Sequence, residues 1–211
     1  MSFFVSRETD LLIAGYGGSA NTYATDAVLH GNPNINLAHH LHAVAQPATA
    51  AQLGTPCLVL IRHPVDAISS LTTRGGLTFS IDGLGWALKE YQGYYDAVVR
   101  YRDSFVACNF KDVVEDFGAV IQKLNQRYKT SFIVPENGSS VSKTIIETHK
   151  VRGSRRVCAL EDVQKMLMSS ALEKVRVQAE QSYEEFCALT QTRVWKDPAR
   201  PPVARRPILA E

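Results

Sequence analysis

The sequence predicts an α/β fold, a three-layer sandwich with a central, mostly parallel sheet of about four to five strands. One observation is the apolar run CLVLI at 57–61, which suits a strand covered on both faces. A second is the run DLLIAGY at 10–16, which passes through a glycine-rich turn into a helical stretch from about 20 to 30. Alternation of strand and helix is typical of parallel sheets. With 211 residues and 45% hydrophobic composition, the chain can form one sizeable core.

Composition excludes several classes of function. A formal net charge of +2 is too small for binding nucleic acid through overall charge. The start of the sequence lacks the charged and apolar regions of a signal peptide, and no apolar run approaches the roughly 20 residues needed to span a bilayer. The cysteines are scattered without metal-ligand spacing and indicate thiols in a reducing compartment. We therefore expect a cytoplasmic protein that neither binds nucleic acid nor spans a membrane.

The chain is expected to form one domain over residues 1–192. The remaining segment, 193–211, is rich in proline and arginine and is predicted to be extended or disordered. No internal repeat is found, and the sequence does not indicate an oligomeric state.

The first strand leads into GGSANTY at 17–23, which predicts a phosphate-binding turn. Glycines let the backbone approach a phosphate, and the N-terminus of the following helix offers unpaired N–H groups. Compared with the ATP-binding pattern GxxxxGK[ST], Gly15 and Thr22 fit, but Ala20 and Asn21 replace the glycine and the lysine. An ordinary ATP- or GTP-hydrolysing site is therefore not expected. A plain turn with a Ser or Asn helix cap is the alternative.

Three histidines follow a short strand predicted at 35–37. They are His39, His40 and His42. A metal site is one interpretation, but no acidic residue or cysteine lies close by in the sequence to complete it. A general base is favoured, because histidine titrates near neutrality and can accept a proton from a hydroxyl. Polar residues at a strand end, without a chemical role, are the other alternative.

Arg62 directly follows the strand at 57–61, and Pro64 is predicted to begin the next helix, because proline is tolerated in a first helical turn. This places Arg62 at the carboxyl end of a central strand, where α/β proteins bind ligands and where an arginine commonly meets an anion. A solvated arginine is the alternative.

The remaining elements follow from periodicity and caps. We expect a short helix and turn at 46–56 and a helix from Pro64 to about Arg74. Ser80 is predicted to cap a long helix to about Arg102, whose tyrosines pack in the core or border an acceptor pocket. A strand at 104–110, a helix at 111–128 and one long helix from about Leu160 to Leu189 follow. Between them, KVRGSRR at 150–156 is either a solvated basic loop or a loop that closes over a phosphate.

Together these motifs resemble the sulfotransferases that use 3′-phosphoadenosine 5′-phosphosulfate, whose fold is related to P-loop kinases. The resemblance covers roughly residues 10–190, and its most specific part is LVLIRHPVDAISS. Arg62 and Ser70 match the arginine and serine that hold the nucleotide's 3′-phosphate in that family. His63 stands where the family usually has Asp or Asn.

The glycine-rich turn is similar to the family's 5′-phosphosulfate loop, typically PKSGTTW. Ser19, Thr22 and Tyr23 correspond to its Ser, second Thr and Trp, and Asn21 stands at its first Thr. Gly18 replaces the lysine that neutralises the bridging oxygen as sulfate leaves. The resemblance thus implies a donor-binding loop formed by Gly17, Gly18, Ser19, Ala20, Asn21, Thr22 and Tyr23.

Two further segments extend the resemblance. His40-Leu41 aligns with the His-Leu of a K-T-H-L-P-like segment that carries the family's catalytic histidine, which implies that His40 is the general base. KVRGSRR is similar to the family's R-K-G loop, and Arg152-Gly153 is the best match for contact with the 3′-phosphate. NFKDVVED at 109–116 is similar to the family's Y-E-D-L segment.

The implied function is transfer of a sulfuryl group from 3′-phosphoadenosine 5′-phosphosulfate to a hydroxyl or amine of a small-molecule or carbohydrate acceptor, without a metal ion. Three alternatives remain. They are a catalytically impaired protein that binds the sulfonucleotide, a small-molecule kinase of the P-loop type, and a purely structural or interaction protein.

Overall fold

The computed structural model of the chain describes residues 3–136, 143–145, 147 and 157–191. In this part of the chain the sheet has four strands in the order β2-β1-β3-β4, and every pair is parallel. The strands are β1 (Leu11–Gly15), β2 (Leu37–Ala38), β3 (Cys57–Ile61) and β4 (Val106–Asn109). The predicted α/β class with a mostly parallel sheet is confirmed.

The main helices in the described residues are α1 (Asn21–Gly31), α2 (Ala45–Leu53), α3 (Pro64–Thr73), α4 (Ile81–Val98), α5 (Phe110–Tyr128), α6 (Leu160–Leu167) and α7 (Glu173–Gln191). Short 3₁₀ segments, Val99–Ser104 and Ser170–Leu172, follow α4 and α6. Helices α1 and α5 cover one face of the sheet, while α4 and α7 cover the other. This is a three-layer sandwich.

Strand β3 shows why a continuous apolar run is needed at the centre of such a sheet. Its five residues are all fully buried, and successive side chains enter opposite cores. Val59 packs with Tyr95 on one side, and Leu60 packs with Phe117 on the other. Neither face of β3 is exposed to water. A strand with alternating apolar and polar residues would therefore bury polar side chains, which is energetically unfavourable.

Several predicted boundaries are confirmed. Pro64 begins α3, and the Ser80 side chain accepts a hydrogen bond of 3.1 Å from the Gly83 N–H at the start of α4. The short second strand is displaced, since it covers Leu37–Ala38 rather than 35–37.

The prediction of one long helix from Leu160 to Leu189 is wrong. The chain leaves the helix at Met168, and Ser169 adopts an extended conformation before a 3₁₀ turn and α7. Serine favours helix ends because its hydroxyl competes for backbone hydrogen bonds. The break lets α6 pack against α3, while α7 packs against α4 and β4.

The predicted tail at 193–211 and the basic loop at 150–156, including Arg152 and Gly153, lie outside the described residues. Within the described part of the chain, none of the helices has the length and apolar character required to cross a bilayer.

Candidate functional site

The candidate site lies at the carboxyl edge of the sheet, between the ends of β1 and β3. The chain leaves β1 toward β2 on one side and later returns to β3 on the other side of β1. Such a reversal of strand order opens a crevice in which α/β proteins bind ligands. The loop 16–20 after β1 and Arg62 after β3 flank this crevice.

The loop at 16–20 is held close against α3. Gly18 has a φ of +86°, and a β-carbon at this position would lie 2.3 Å from the carbonyl oxygen of Ala67. Left-handed backbone is costly for residues with a side chain, and an approach this close leaves no room for one. The backbone conformation of the loop therefore favours glycine at position 18.

The side chains after Gly18 stabilise the loop from within. Ser19 is fully buried beside the phenol of Tyr95. Asn21 donates from Nδ2 to the carbonyl oxygen of Tyr16 at 3.0 Å, so its amide closes the loop on itself. Tyr23 is buried against Phe117, with 6.2 Å between ring centroids. The side chain of Thr22, another predicted donor-binding residue, contacts a second predicted motif at His40.

The N-terminus of α1 carries no side-chain cap. Ala20 is the N-cap residue, with a φ of +69°, and no acidic residue stands in the first turn. By contrast, α4 and α5 are capped by Ser80 and Asn109, whose side chains accept backbone N–H groups. An uncapped N-terminus beside a glycine-rich loop presents N–H donors and a positive dipole end, which suits an anion.

The three histidines form one cluster beside the loop. His40 Nε2 lies 3.2 Å from Thr22 Oγ1, and His42 Nδ1 lies 2.6 Å from the carbonyl oxygen of Gly15. His39 and His40 are hydrogen-bond neighbours through their Nδ1 atoms. Among the described residues, no group of three or more His, Cys, Asp or Glu side chains is arranged to hold a metal ion.

His40 combines backbone strain with a shifted pKa. Its φ is +62°, a left-handed conformation that is uncommon outside glycine and that costs on the order of 1–3 kcal/mol. Partial burial lowers the pKa of His40, and the nearby His39 and His42 lower it further, while Asp26 raises it. The ring is therefore neutral at pH 7 and able to accept a proton.

Arg62 connects β3 to the loop. Its Nη1 donates to the carbonyl oxygen of Gly18 at 3.2 Å, and its guanidinium carbon lies 4.1 Å from the ring centroid of Phe110. This stacking follows from the register of the sheet. Ile61 pairs with Asn109, so the residues that come next in each strand's sequence, Arg62 and Phe110, are neighbours. Burial lowers the pKa of Arg62, Asp66 raises it and Arg74 lowers it, but a guanidinium stays charged near neutrality.

A cleft of about 160 Å³ opens beside Arg62 at the ends of β3 and β4. Two cationic side chains, one carboxylate and the rings of a phenylalanine, a tyrosine and a histidine line it. The cations suit negative charge on a ligand, and the rings suit a flat apolar part. The lining residues are Arg62, His63, Asp66, Asn109, Phe110, Lys111 and Tyr183.

Tyrosines on α4 hold the ends of β1 and β3 together. The Tyr95 hydroxyl donates to the carbonyl oxygen of Leu60 at 2.7 Å and accepts the Tyr16 N–H at 3.1 Å. The Tyr91 hydroxyl donates to the carbonyl oxygen of Arg62 at 2.6 Å. The sequence predicts these tyrosines in the core or at an acceptor pocket, but it does not predict their hydrogen bonds to the ends of β1 and β3. Helical spacing predicts that the tyrosines lie on one face of α4. It does not predict which backbone carbonyl oxygens, distant in the sequence, accept hydrogen bonds from their hydroxyl groups.

Ser70 lies half-buried on α3, where its carbonyl oxygen accepts from Arg74 Nε at 2.9 Å. The structure thus brings the 17–23 loop, His40 and Arg62 together through direct contacts. Ser70 is placed on the helix that begins just after Arg62.

Comparison with known proteins finds limited similarity. No family model matches the chain, and no curated protein matches it. Among solved structures, the chain is similar to a mouse sulfotransferase in a crystal structure of its complex with PAP. The two share 14% sequence identity over 87% of this chain and 84% of that chain, with a TM-score of 0.48.

Proposed function

We propose that the protein is a sulfotransferase that moves a sulfuryl group from 3′-phosphoadenosine 5′-phosphosulfate to a hydroxyl or amine of a small-molecule or carbohydrate acceptor. The observation that carries the proposal is the convergence of three separate motifs on one crevice. Arg62 contacts the loop at Gly18, and His40 contacts the first turn of α1 at Thr22. The protein's free thiols suit a cytoplasmic location.

In this proposal the donor is bound through its phosphates. Arg62 and Ser70 hold the 3′-phosphate, and Arg152-Gly153 contacts it from the basic loop. The 5′-phosphosulfate lies on the backbone of the 17–23 loop, at the uncapped N-terminus of α1. Charge-assisted hydrogen bonds to phosphate are the strong ones, which is why an arginine and a helix N-terminus suit this ligand.

His40 acts as the general base of the transfer. The acceptor oxygen or nitrogen forms a bond to sulfur while the bond between sulfur and the 5′-phosphate oxygen breaks. The acceptor proton passes to His40, and adenosine 3′,5′-bisphosphate leaves. Loop N–H groups and the Thr22 hydroxyl stabilise the charge that develops on the leaving phosphate.

The second candidate function is binding of the sulfonucleotide without efficient transfer. The observation that favours it is Gly18, whose backbone leaves no room for the lysine that the resemblance calls for. In the described part of the loop region, the cation in contact with position 18 is Arg62. Tight binding of adenosine 3′,5′-bisphosphate together with no transfer to any acceptor would identify this second function.

Calorimetric titration with adenosine 3′,5′-bisphosphate tests the donor site. We expect Arg62→Ala to weaken binding roughly 10- to 100-fold, since hydrogen bonds to charged groups contribute about 1.5–3 kcal/mol. Arg100→Ala, at an exposed arginine after α4, is the matched control and keeps wild-type affinity. Equal affinity of the Arg62→Ala variant and the wild type would rule out the central assignment.

A further inference from the structure

One face of α3 continues beyond the candidate site. Asp66, Ser70 and Arg74 follow one another at four-residue intervals, so they share a face of the helix and its last turn. Asp66 lines the cleft together with Arg62, which places the start of this face at the candidate site. Arg74 is the C-cap residue at the other end.

The side chain of Arg74 folds back toward Ser70. Its Nε donates to the carbonyl oxygen of Ser70 at 2.9 Å, which directs the guanidinium along the helix rather than away from it. Within the residues that the structure describes, no ion pair joins Arg74 to a carboxylate. Its guanidinium is therefore held at Ser70 while its charge stays available.

The charges of Arg74 and Arg62 act on each other. The positive charge of Arg74 lowers the pKa of Arg62, and burial lowers the pKa of Arg74 itself. Asp66 is the acid that faces Arg62 and offsets part of this repulsion. Among the described residues that act on Arg62, one arginine and one acid offset each other, so the pair of arginines keeps a net positive charge, which a dianion would neutralise.

We propose that Arg74 is a further binding residue for the donor's 3′-phosphate, which it reaches from the C-terminal end of α3 beside Ser70. This inference rests on the proposed function, because that function places a phosphate at Arg62 and Ser70. It adds a third anchor from the described part of the chain. The alternative is a purely structural role, since an arginine that bonds a last-turn carbonyl commonly caps a helix.

The test compares two nucleotides that differ by the 3′-phosphate. Adenosine 3′,5′-bisphosphate and adenosine 5′-monophosphate are titrated into wild type, Arg74→Gln and Arg74→Lys. Glutamine retains a donor for the Ser70 carbonyl but removes the charge. We expect Arg74→Gln to weaken the bisphosphate roughly 10- to 100-fold and to leave the monophosphate unchanged, with Arg74→Lys in between. Arg100→Gln is the matched control.

The outcomes separate the two proposals. If the wild type prefers the bisphosphate and Arg74→Gln keeps that preference, the role of Arg74 is overturned and the donor site stands. The same conclusion holds if Arg74→Gln lowers the melting temperature without changing the ratio of the two Kd values, because Arg74 is then only a cap. If the wild type shows no preference for the bisphosphate, the proposed function fails together with this inference.

Discussion

Gly18 is the position at which this chain differs most from the sulfotransferase loop that it resembles. Its positive φ and the nearby carbonyl oxygen of Ala67 mean that the loop accepts glycine and disfavours other residues. The backbone conformation at Gly18 thus disfavours a lysine and its positive charge at this position. A cation beside the loop must therefore come from another part of the chain, and Arg62 already donates a hydrogen bond to the Gly18 carbonyl oxygen.

Gly18→Lys, which introduces the lysine of the loop that the sequence resembles, is therefore expected to destabilise the protein. We predict a lower melting temperature, because a left-handed residue with a side chain costs about 1–2 kcal/mol before any clash is counted. We also predict weaker binding of adenosine 3′,5′-bisphosphate and no gain in transfer. Gly93→Lys adds a lysine on α4 where a β-carbon meets no atom within 4 Å, and serves as the control. A Gly18→Lys variant with higher transfer activity and an unchanged melting temperature would contradict this account.

His40 is expected to act on the rate of transfer rather than on donor affinity. We predict that His40→Ala lowers sulfate transfer to simple phenols, alcohols or amines by about 10²–10⁴-fold, the usual contribution of a general base. Because the pKa of His40 is lowered, the wild-type rate should fall only when the pH drops below the ordinary histidine range. Binding of adenosine 3′,5′-bisphosphate to the variant is measured in parallel and should change little. Unaltered transfer by His40→Ala would remove His40 from the mechanism.

Among the elements, α4 determines the geometry of the crevice although it contributes no predicted ligand. The hydroxyl groups of Tyr91 and Tyr95 donate to carbonyl oxygens at the end of β3, and the Tyr95 hydroxyl also accepts from the N–H at the start of the loop. Burial raises the pKa of both phenols, so both remain protonated donors. Helix α4 thus holds the start of the 16–20 loop at a set distance from the end of β3.

Tyr95→Phe is predicted to lower the free energy of unfolding by about 1–3 kcal/mol. The substitution leaves the buried Leu60 carbonyl and Tyr16 N–H without their partner, and an unpaired buried polar group carries this cost. Chemical denaturation measures the effect. Tyr101→Phe, in the 3₁₀ segment after α4, is the comparison variant and should change stability little. A stability loss no larger than that of the comparison variant would show that the hydroxyl of Tyr95 has no such role.

The elements also show what sequence patterns can and cannot predict. The run at 57–61 defined β3 because burial on both faces demands apolar residues, and Pro64 and Ser80 fixed two helix starts through local chemistry. These signals act within a few residues. The break between α6 and α7 has only a serine pair as its signal, and it depends on packing against distant helices. The contact between Arg62 and Gly18 joins residues 44 positions apart, so no local pattern contains it.

For the whole molecule, the histidine cluster makes stability depend on pH. Desolvation is the largest cause that lowers the pKa of each of His39, His40 and His42. In the unfolded chain these side chains titrate near the ordinary value of about 6.5. At a pH between the folded and the unfolded pKa values, the unfolded chain binds more protons than the folded chain. The histidines' contribution to the free energy of unfolding is therefore fully present above about pH 6.5 and is lost as the pH falls below that value.

We accordingly predict that the melting temperature decreases as the pH is lowered from 7 toward 5. His39→Gln should make this decrease smaller, because one of the groups with a lowered pKa is removed. His30→Gln, at an exposed histidine near the end of α1, should leave the slope as it is in the wild type. Identical slopes for His39→Gln and wild type would show that the cluster does not contribute to this dependence.

The position of the site along the chain has a consequence for how such a protein diversifies. The loop, the histidines, Arg62 and Arg74 all lie between β1 and the end of α3, and Phe110 adds one supporting ring. Under the proposed function, this N-terminal stretch supplies most of the donor site, and Arg152-Gly153 adds to it from the basic loop. We therefore expect changes elsewhere after position 74 to alter the choice of acceptor more than donor binding, provided that α4 retains the tyrosines that bond to the crevice.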